Sequence, residues 1–219
     1  RGGYVHGFDA IWNPEGFAIP SAQLQTLDPL FKWSLHCARE ALRDAGDART
    51  GDVNRDRVTA VFGNLGFPTA SMSRFAENVW LNKGELLNPT DRFMAGGAAA
   101  VLQRALGLGP GVMCLDTACA SSLYAIAIAC NRLRDGEADV ALAGGVSCSD
   151  DLFIHVGFTA LNAMSQTDQS RPFHAEADGL VPAEGAAFVA LKRLADAKRD
   201  GDTIHGVIRG IGLSNDGRG

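Results

Sequence analysis

The residues best equipped for nucleophilic chemistry in this sequence are its five cysteines, Cys37, Cys114, Cys119, Cys130 and Cys148. Their surroundings separate them. Cys119 lies in Val112-Met113-Cys114-Leu115-Asp116-Thr117-Ala118-Cys119-Ala120-Ser121-Ser122-Leu123. A short apolar run there reads as a buried strand, the small residues after it as a tight turn, and the rest as an amphipathic helix. Cys119 thus falls at or just before the first helical turn. Unpaired backbone N–H groups and the helix dipole favour an anionic sulfur at such a place. The same N–H groups can receive the oxyanion that forms when a thioester is attacked. Ala118, Ala120 and Ser121 leave room for a substrate. Cys114 falls in the strand, Cys130 on the helix's apolar stripe and Cys148 after Gly144-Gly145, where a thiol acts as a small hydrophobe. On residue types alone, Cys119 reads equally well as a nucleophile and as a small residue where helix meets sheet, since most buried cysteines are inert.

The elements that must carry this turn follow from apolar spacing. Helices are expected from Asp28 to Ala45, with Gly46 as the stop, and from Ala120 to Arg134, with Leu123, Ile126, Ala127, Cys130 and Leu133 as one stripe. A third covers Ala95 to Leu106, where Gly96-Gly97-Ala98-Ala99-Ala100 permits close packing. Strands are expected at Val58 to Phe62, Val112 to Leu115, Val140 to Ala143, Ala186 to Leu191 and Ile204 to Ile211. These runs are apolar without alternation, as suits a sheet buried on both faces. Strands and helices interleave, so an α/β layered architecture is expected. The charged stretch from Asp47 to Arg57 reads as a surface loop.

Composition narrows the function. Of 219 residues, 46% are hydrophobic and 21% charged, which supplies a sizeable core. The formal charge of −5 gives no basic footprint, so nucleic acid is not an expected partner. No apolar run is long enough to span a membrane and no segment reads as a signal peptide. An odd number of cysteines with no C-x-x-C pair predicts a reduced, cytoplasmic protein without a disulfide framework.

Asp116-Thr117-Ala118-Cys119-Ala120-Ser121-Ser122-Leu123 resembles the active-site motif of β-ketoacyl synthases, in the form found in large multidomain synthases. Ala143-Gly144-Gly145-Val146 resembles the glycine-bearing strand end that follows in that family. Ser170-Arg171-Pro172-Phe173-His174-Ala175-Glu176-Ala177-Asp178-Gly179 is similar to its S-R-P-F-D-x-x-A-D-G segment, with His174 replacing Asp. Glu184-Gly185-Ala186, Leu191 to Ala197, Leu27-Asp28-Pro29 and Glu40 to Gly46 fit as well. Ala183 stands where glycine is usual. Within the family, Gly63 to Pro68 and Ser73 to Leu81 look most like synthases of polyunsaturated fatty acids, with iterative polyketide synthases close behind.

The resemblance implies a thiolase-like layered α-β-α-β-α fold, of which residues 1–219 are a partial domain, mainly the N-terminal half and truncated at both ends. It implies an acyltransferase that condenses an acyl thioester, held on Cys119, with a malonyl-type carrier-protein thioester by decarboxylative Claisen chemistry. No cofactor is bound directly in such enzymes; the substrate arrives on the phosphopantetheine of an acyl carrier protein. A homodimer and other domains of a multidomain synthase are the remaining partners implied. Phe158 falls where relatives place a residue lining the acyl pocket, although an aromatic in an apolar run is otherwise core. The family's two histidines and lysine belong to its second half, and His6, His36, His155, His174 and His205 lie in no matching motif, so this piece alone is expected to be inactive. The alternative is a non-catalytic condensing-like scaffold or chain-length partner. Thiolases and chalcone-type synthases fit the train of motifs less well, and a cysteine hydrolase would need a histidine partner close in space.

Overall fold

The computed structural model describes residues 2–47, 53–65, 78–83, 96–148, 151–215 and 217. Four strands form one sheet: β1 (Val58–Gly63), β2 (Met113–Leu115), β3 (Val140–Ser147) and β4 (Gly185–Lys192). Their order is β2-β1-β3-β4. β1 runs parallel to both β2 and β3, whereas β4 returns antiparallel to β3. The register pairs Gly63 with Leu115 on one side and Gly145 on the other, so the carboxyl ends of the parallel strands lie side by side.

Helices cover both faces. After the short α1 (Ser21–Gln25), α2 (Pro29–Leu42) begins where Asp28 Oδ1 accepts from Leu30 N at 3.2 Å and Pro29 supplies a pre-set φ at the first helical position. It buries Leu30, Phe31, Trp33, Leu35, Ala38 and Leu42. With α3 (Gly97–Leu106) it packs on one face of the sheet, against Val58, Ala60, Phe62, Leu142 and Val146. On the opposite face lies α4 (Ser121–Arg134), where Ala129 and Leu133 meet Ala141 and Ala143. Every residue of β1 is buried, as a strand with helices on both sides requires. The two faces differ in bulk: leucines and phenylalanines fill one, alanines the other.

Two clamps fix the periphery. Arg39, buried on α2, donates to the carbonyls of Asn13 and Glu15 at 2.8 and 3.0 Å and stacks its guanidinium 4.5 Å over the Phe17 ring. That holds the N-terminal strap to the helix. At the other end Asp139 accepts from Arg57 and Arg193, which hold its carboxyl well down, at about 2.

Several expectations need correction. The α-helical part of α2 ends at Leu42 rather than at Ala45; a wider helical turn follows over Arg43–Asp47, and the expected stop is borne out at Gly46, where φ is 104°. β3 continues past Ala143 to Ser147, because Gly144 and Gly145 keep the ladder with β4. The run from Ile204 to Ile211 is no strand: its backbone pairs with nothing in the sheet, and Ile204, Val207, Ile208 and Ile211 are exposed. An apolar run marks a need for burial, and hydrogen-bonded pairing is a separate condition. The expected stripe on α4 holds only in part: Ala127 and Leu133 are buried, but Leu123 is 66% exposed, and Ser121, Ala125 and Ala129 are buried as well. Parts of the Asp47–Arg57 loop and of the segments that suggested a polyunsaturated-fatty-acid synthase lie outside the described residues.

Candidate active site: a cysteine on a strained turn

β2 ends at Leu115, and the chain reverses over Asp116-Thr117-Ala118-Cys119 into α4. The reversal is tight because Ala118 adopts φ 51°, the left-handed region that residues other than glycine rarely enter. A residue held there costs about 1–3 kcal/mol and persists only where its surroundings over-determine it. Here they do. Asp116 Oδ1 accepts from Ala118 N at 3.0 Å. Ser121 Oγ accepts from Thr117 N at 2.9 Å and donates to Ala118 O at 2.7 Å. The Cys119 residue at the apex is exposed.

Glycines let the helix come close enough to carry this turn. A Cβ on Gly63 would lie 2.5 Å from Ser121 Cβ, closer than real Cβ atoms approach. Gly145, its partner on β3, would place a Cβ 3.4 Å from Ser122 Cβ. The two glycines thus form the floor beneath the start of α4. On the far side of β3, a side chain on Gly144 would run into the carbonyl of Ala187 on β4. Asn64 N donates to Leu115 O at 3.0 Å and ties the end of β2 to the chain leaving β1.

All five cysteines are free, and burial divides them. Desolvation pushes the Cys114 thiol up to about 12, partly opposed by a hydrogen bond with the Ala99 backbone. Burial also raises Cys37, aided by Glu40, and Cys130, opposed by Arg134. Cys119 is the only exposed one of the five. An exposed sulfur at a helix start can be reached by an electrophile, and nearby backbone N–H groups can meet charge developing on it.

Phe158 sits half-buried on α5 (Gly157–Ala160), where its carbonyl accepts from Ala163 N at 2.9 Å. His36 packs edge-on to Phe8 at 5.5 Å, and burial lowers its pKa. His174 Nδ1 accepts from Glu176 N, and His205 pairs with Asp44 at 2.9 Å. These contacts tie the three histidines to other parts of the fold. Asp178 of the Ala177-Asp178-Gly179 motif braces a loop, accepting from Ser165 Oγ and from the backbone N–H groups of Gln166 and Thr167. Gly179, at φ 147°, passes so close to Ser165 N that a Cβ there would clash. Sequence reading singled out Cys119 but missed Ser121 and Asp116. A serine in the first turn of a helix, with an acid before the turn, is the available signal.

Comparison with known proteins defines the class first. The solved structure described as "PfaC Keto synthase-Chain length factor" superposes with TM-score 0.82 at 32% identity, over 93% of this chain and 24% of that one. The ketosynthase from module 6 of the bacillaene synthase of Bacillus subtilis 168 gives TM-score 0.68 at 31% identity, over 88% of this chain and 32% of that one. The layered α/β fold is therefore the thiolase-like ketosynthase fold, of which this chain supplies mainly the N-terminal half. The family model "Beta-ketoacyl synthase, N-terminal domain" matches residues 1–197, and the chain belongs to the β-ketoacyl synthase family. Its relatives include the PKS-NRPS hybrid synthetase acdB of Aspergillus candidus, 38% identical over 100% of this chain and 9% of the relative. Another is the mycocerosic acid synthase-like polyketide synthase of Mycolicibacterium smegmatis, 38% identical over 95% of this chain and 10% of the relative. The chain thus spans about a tenth of the length of these relatives. Among the described residues, no helix is long and apolar enough to cross a membrane.

Proposed function

We propose that Cys119 is the acyl-accepting nucleophile of a condensing domain to which residues 1–219 contribute as a partial domain. Its sulfur attacks the carbonyl of an acyl thioester, the tetrahedral oxyanion collapses, and the carrier thiol leaves with a proton. A malonyl-type thioester on an acyl carrier protein then loses CO2. The resulting enolate carbon attacks the Cys119-bound acyl carbonyl and expels the Cys119 thiolate. The products are a β-ketoacyl carrier thioester and the free enzyme. The enolate and both oxyanions need positioned donors. Family resemblance assigns the enolate's donors to histidines outside this sequence, so residues 1–219 alone should not condense.

The observation that carries this reading is the exposed Cys119 on the strained Ala118 turn, at the carboxyl ends of three parallel strands. The test is to incubate the full-length protein with an acyl carrier-protein thioester and map the acylated peptide. Acyl transfer should end with Cys119→Ala; loading that survives this change would sink the assignment, and a parent protein that takes no acyl group would leave the scaffold or chain-length-partner reading.

Polyketide relatives support a place in polyketide biosynthesis within a multidomain synthase; the fatty-acid alternative rests on family resemblance, and the cytoplasmic location on the cysteine pattern. The acyl carrier protein and a homodimeric state come from family resemblance alone. Light scattering at micromolar concentration should give twice the protomer mass. Phe158 is proposed to line the acyl pocket. Phe158→Ala should alter chain-length preference in the loading assay more than folding yield, and an unchanged profile would return Phe158 to the core.

A further inference from the structure

We infer that Ser121, with Asp116 as its auxiliary, is a positioning residue for the nucleophile: it holds the turn that presents Cys119. This rests on the reading of Cys119 given above and adds how the protein keeps the sulfur in place.

The hydroxyl of Ser121 is bonded on both sides of the strained residue. It accepts from the peptide N–H that enters Thr117 and donates to the carbonyl that leaves Ala118. Asp116 Oδ1 takes the N–H between them. Three of the four polar groups on the Thr117 and Ala118 backbone are thereby occupied by two side chains, the fourth, Thr117 O, accepts from Ala120 N, and Ala118 is the residue with positive φ. Alanine has no intrinsic preference for that conformation, so the bonds must supply it. Ser121 itself is 8% exposed and pressed on Gly63, so its hydroxyl has little freedom to leave. Released, Ala118 would relax toward negative φ, and the next residue, Cys119, would swing with it. A displacement of about 1 Å at a reacting atom can cost about a hundredfold in rate. Neither Ser121 nor Asp116 needs to touch the acyl group to produce this effect.

The test uses the full-length protein and two readouts: the rate of Cys119 alkylation by iodoacetamide, and steady-state condensation. Ser121→Ala keeps the Cβ packed on Gly63 and removes only the hydroxyl. It should slow Cys119 alkylation and kcat about tenfold while KM for the carrier thioester stays level. The alkylation rates of Cys37, Cys114 and Cys130 should not change, which separates misplacement from general unfolding. Asp116→Ala should produce a smaller loss in the same direction. Asp116→Asn retains the oxygen acceptor and should restore most of the rate. Unchanged Cys119 alkylation in both Ser121→Ala and Asp116→Ala would overturn the inference, as would equal acceleration at all thiols. If Ser121→Ala does not fold, the Asp116→Ala and Asp116→Asn pair decides, and equal rates in the two would count against it. Failure of the nucleophile reading shows separately, as loading that persists in Cys119→Ala.

Discussion

Cys114 and Cys119 stand at the two ends of one turn and have opposite environments. Cys114, in β2, lies beneath α3, and burial pushes its thiol up to about 12. Cys119 stands clear of the sheet in the open. Nothing in the sulfur distinguishes them. The difference is made by the backbone, which leaves the plane of the sheet through Ala118 at φ 51° and turns into α4. One fold suppresses a thiol and displays its neighbour within a single reversal, so reactivity here is a property of the turn.

Three measurements can break or sharpen that comparison. The largest effect is expected in competition for a limiting alkylating reagent near pH 8. Each unit of upward shift removes about tenfold of the thiolate, so Cys114, raised from 9.0 to about 12, should react about a thousandfold more slowly than an unshifted thiol and far behind the exposed Cys119, as peptide mapping would reveal. Preferential labelling of Cys114, Cys130 or Cys148 would abolish the contrast. Gly63→Ala comes next. Its new methyl must displace Ser121, which should destabilise the protein by about 1–3 kcal/mol in denaturant unfolding. It should slow alkylation at Cys119 and leave Cys114 as before.

The smallest effect concerns Cys114 alone. Its folded-state value lies above the ordinary thiol value of 9.0, so the folded protein keeps a proton that the unfolded chain releases. Stability linked to this group is intact below pH 9 and is lost as pH rises from there toward 12. Cys114→Val removes that linkage. Its unfolding free energy should fall less steeply with pH than that of the parent, by about 1 kcal/mol at pH 10. Parallel curves would mean that burial of Cys114 is not what suppresses it.

Much of this arrangement was legible in the residues. The helix after Asp28, the buried run from Val58 and the strand–turn–helix around Cys119 all announced themselves by apolar spacing. What escaped was decided by partners. The apolar run from Ile204 needed a neighbouring strand that its own sequence does not encode. Leu123 looked more hydrophobic than Ala125, yet Gly63 and Gly145 draw the small-residue face of α4 inward and leave Leu123 outside. The tight turn was expected, but Ala118 carried no signal of positive φ, which alanine ordinarily avoids; the side-chain bonds from Asp116 and Ser121, with the backbone bonds from Ala120 N to Thr117 O and from Ser121 N to Ala118 O, hold its conformation.

The alanine-lined face of the sheet makes α4 a gauge. Its 14 residues span about 21 Å, with Ala129 and Leu133 seated on Ala141 and Ala143 at one end and the Cys119 turn at the other. Small side chains offer no compliance, so an added methylene near Ala129 can be absorbed only by tilting the whole rod. The tilt would be read at the far end, as a change in the height of a sulfur that the substitution never touches. Variation in what the site accepts is therefore cheapest in the loops around the turn, and dearest in the helix beneath it.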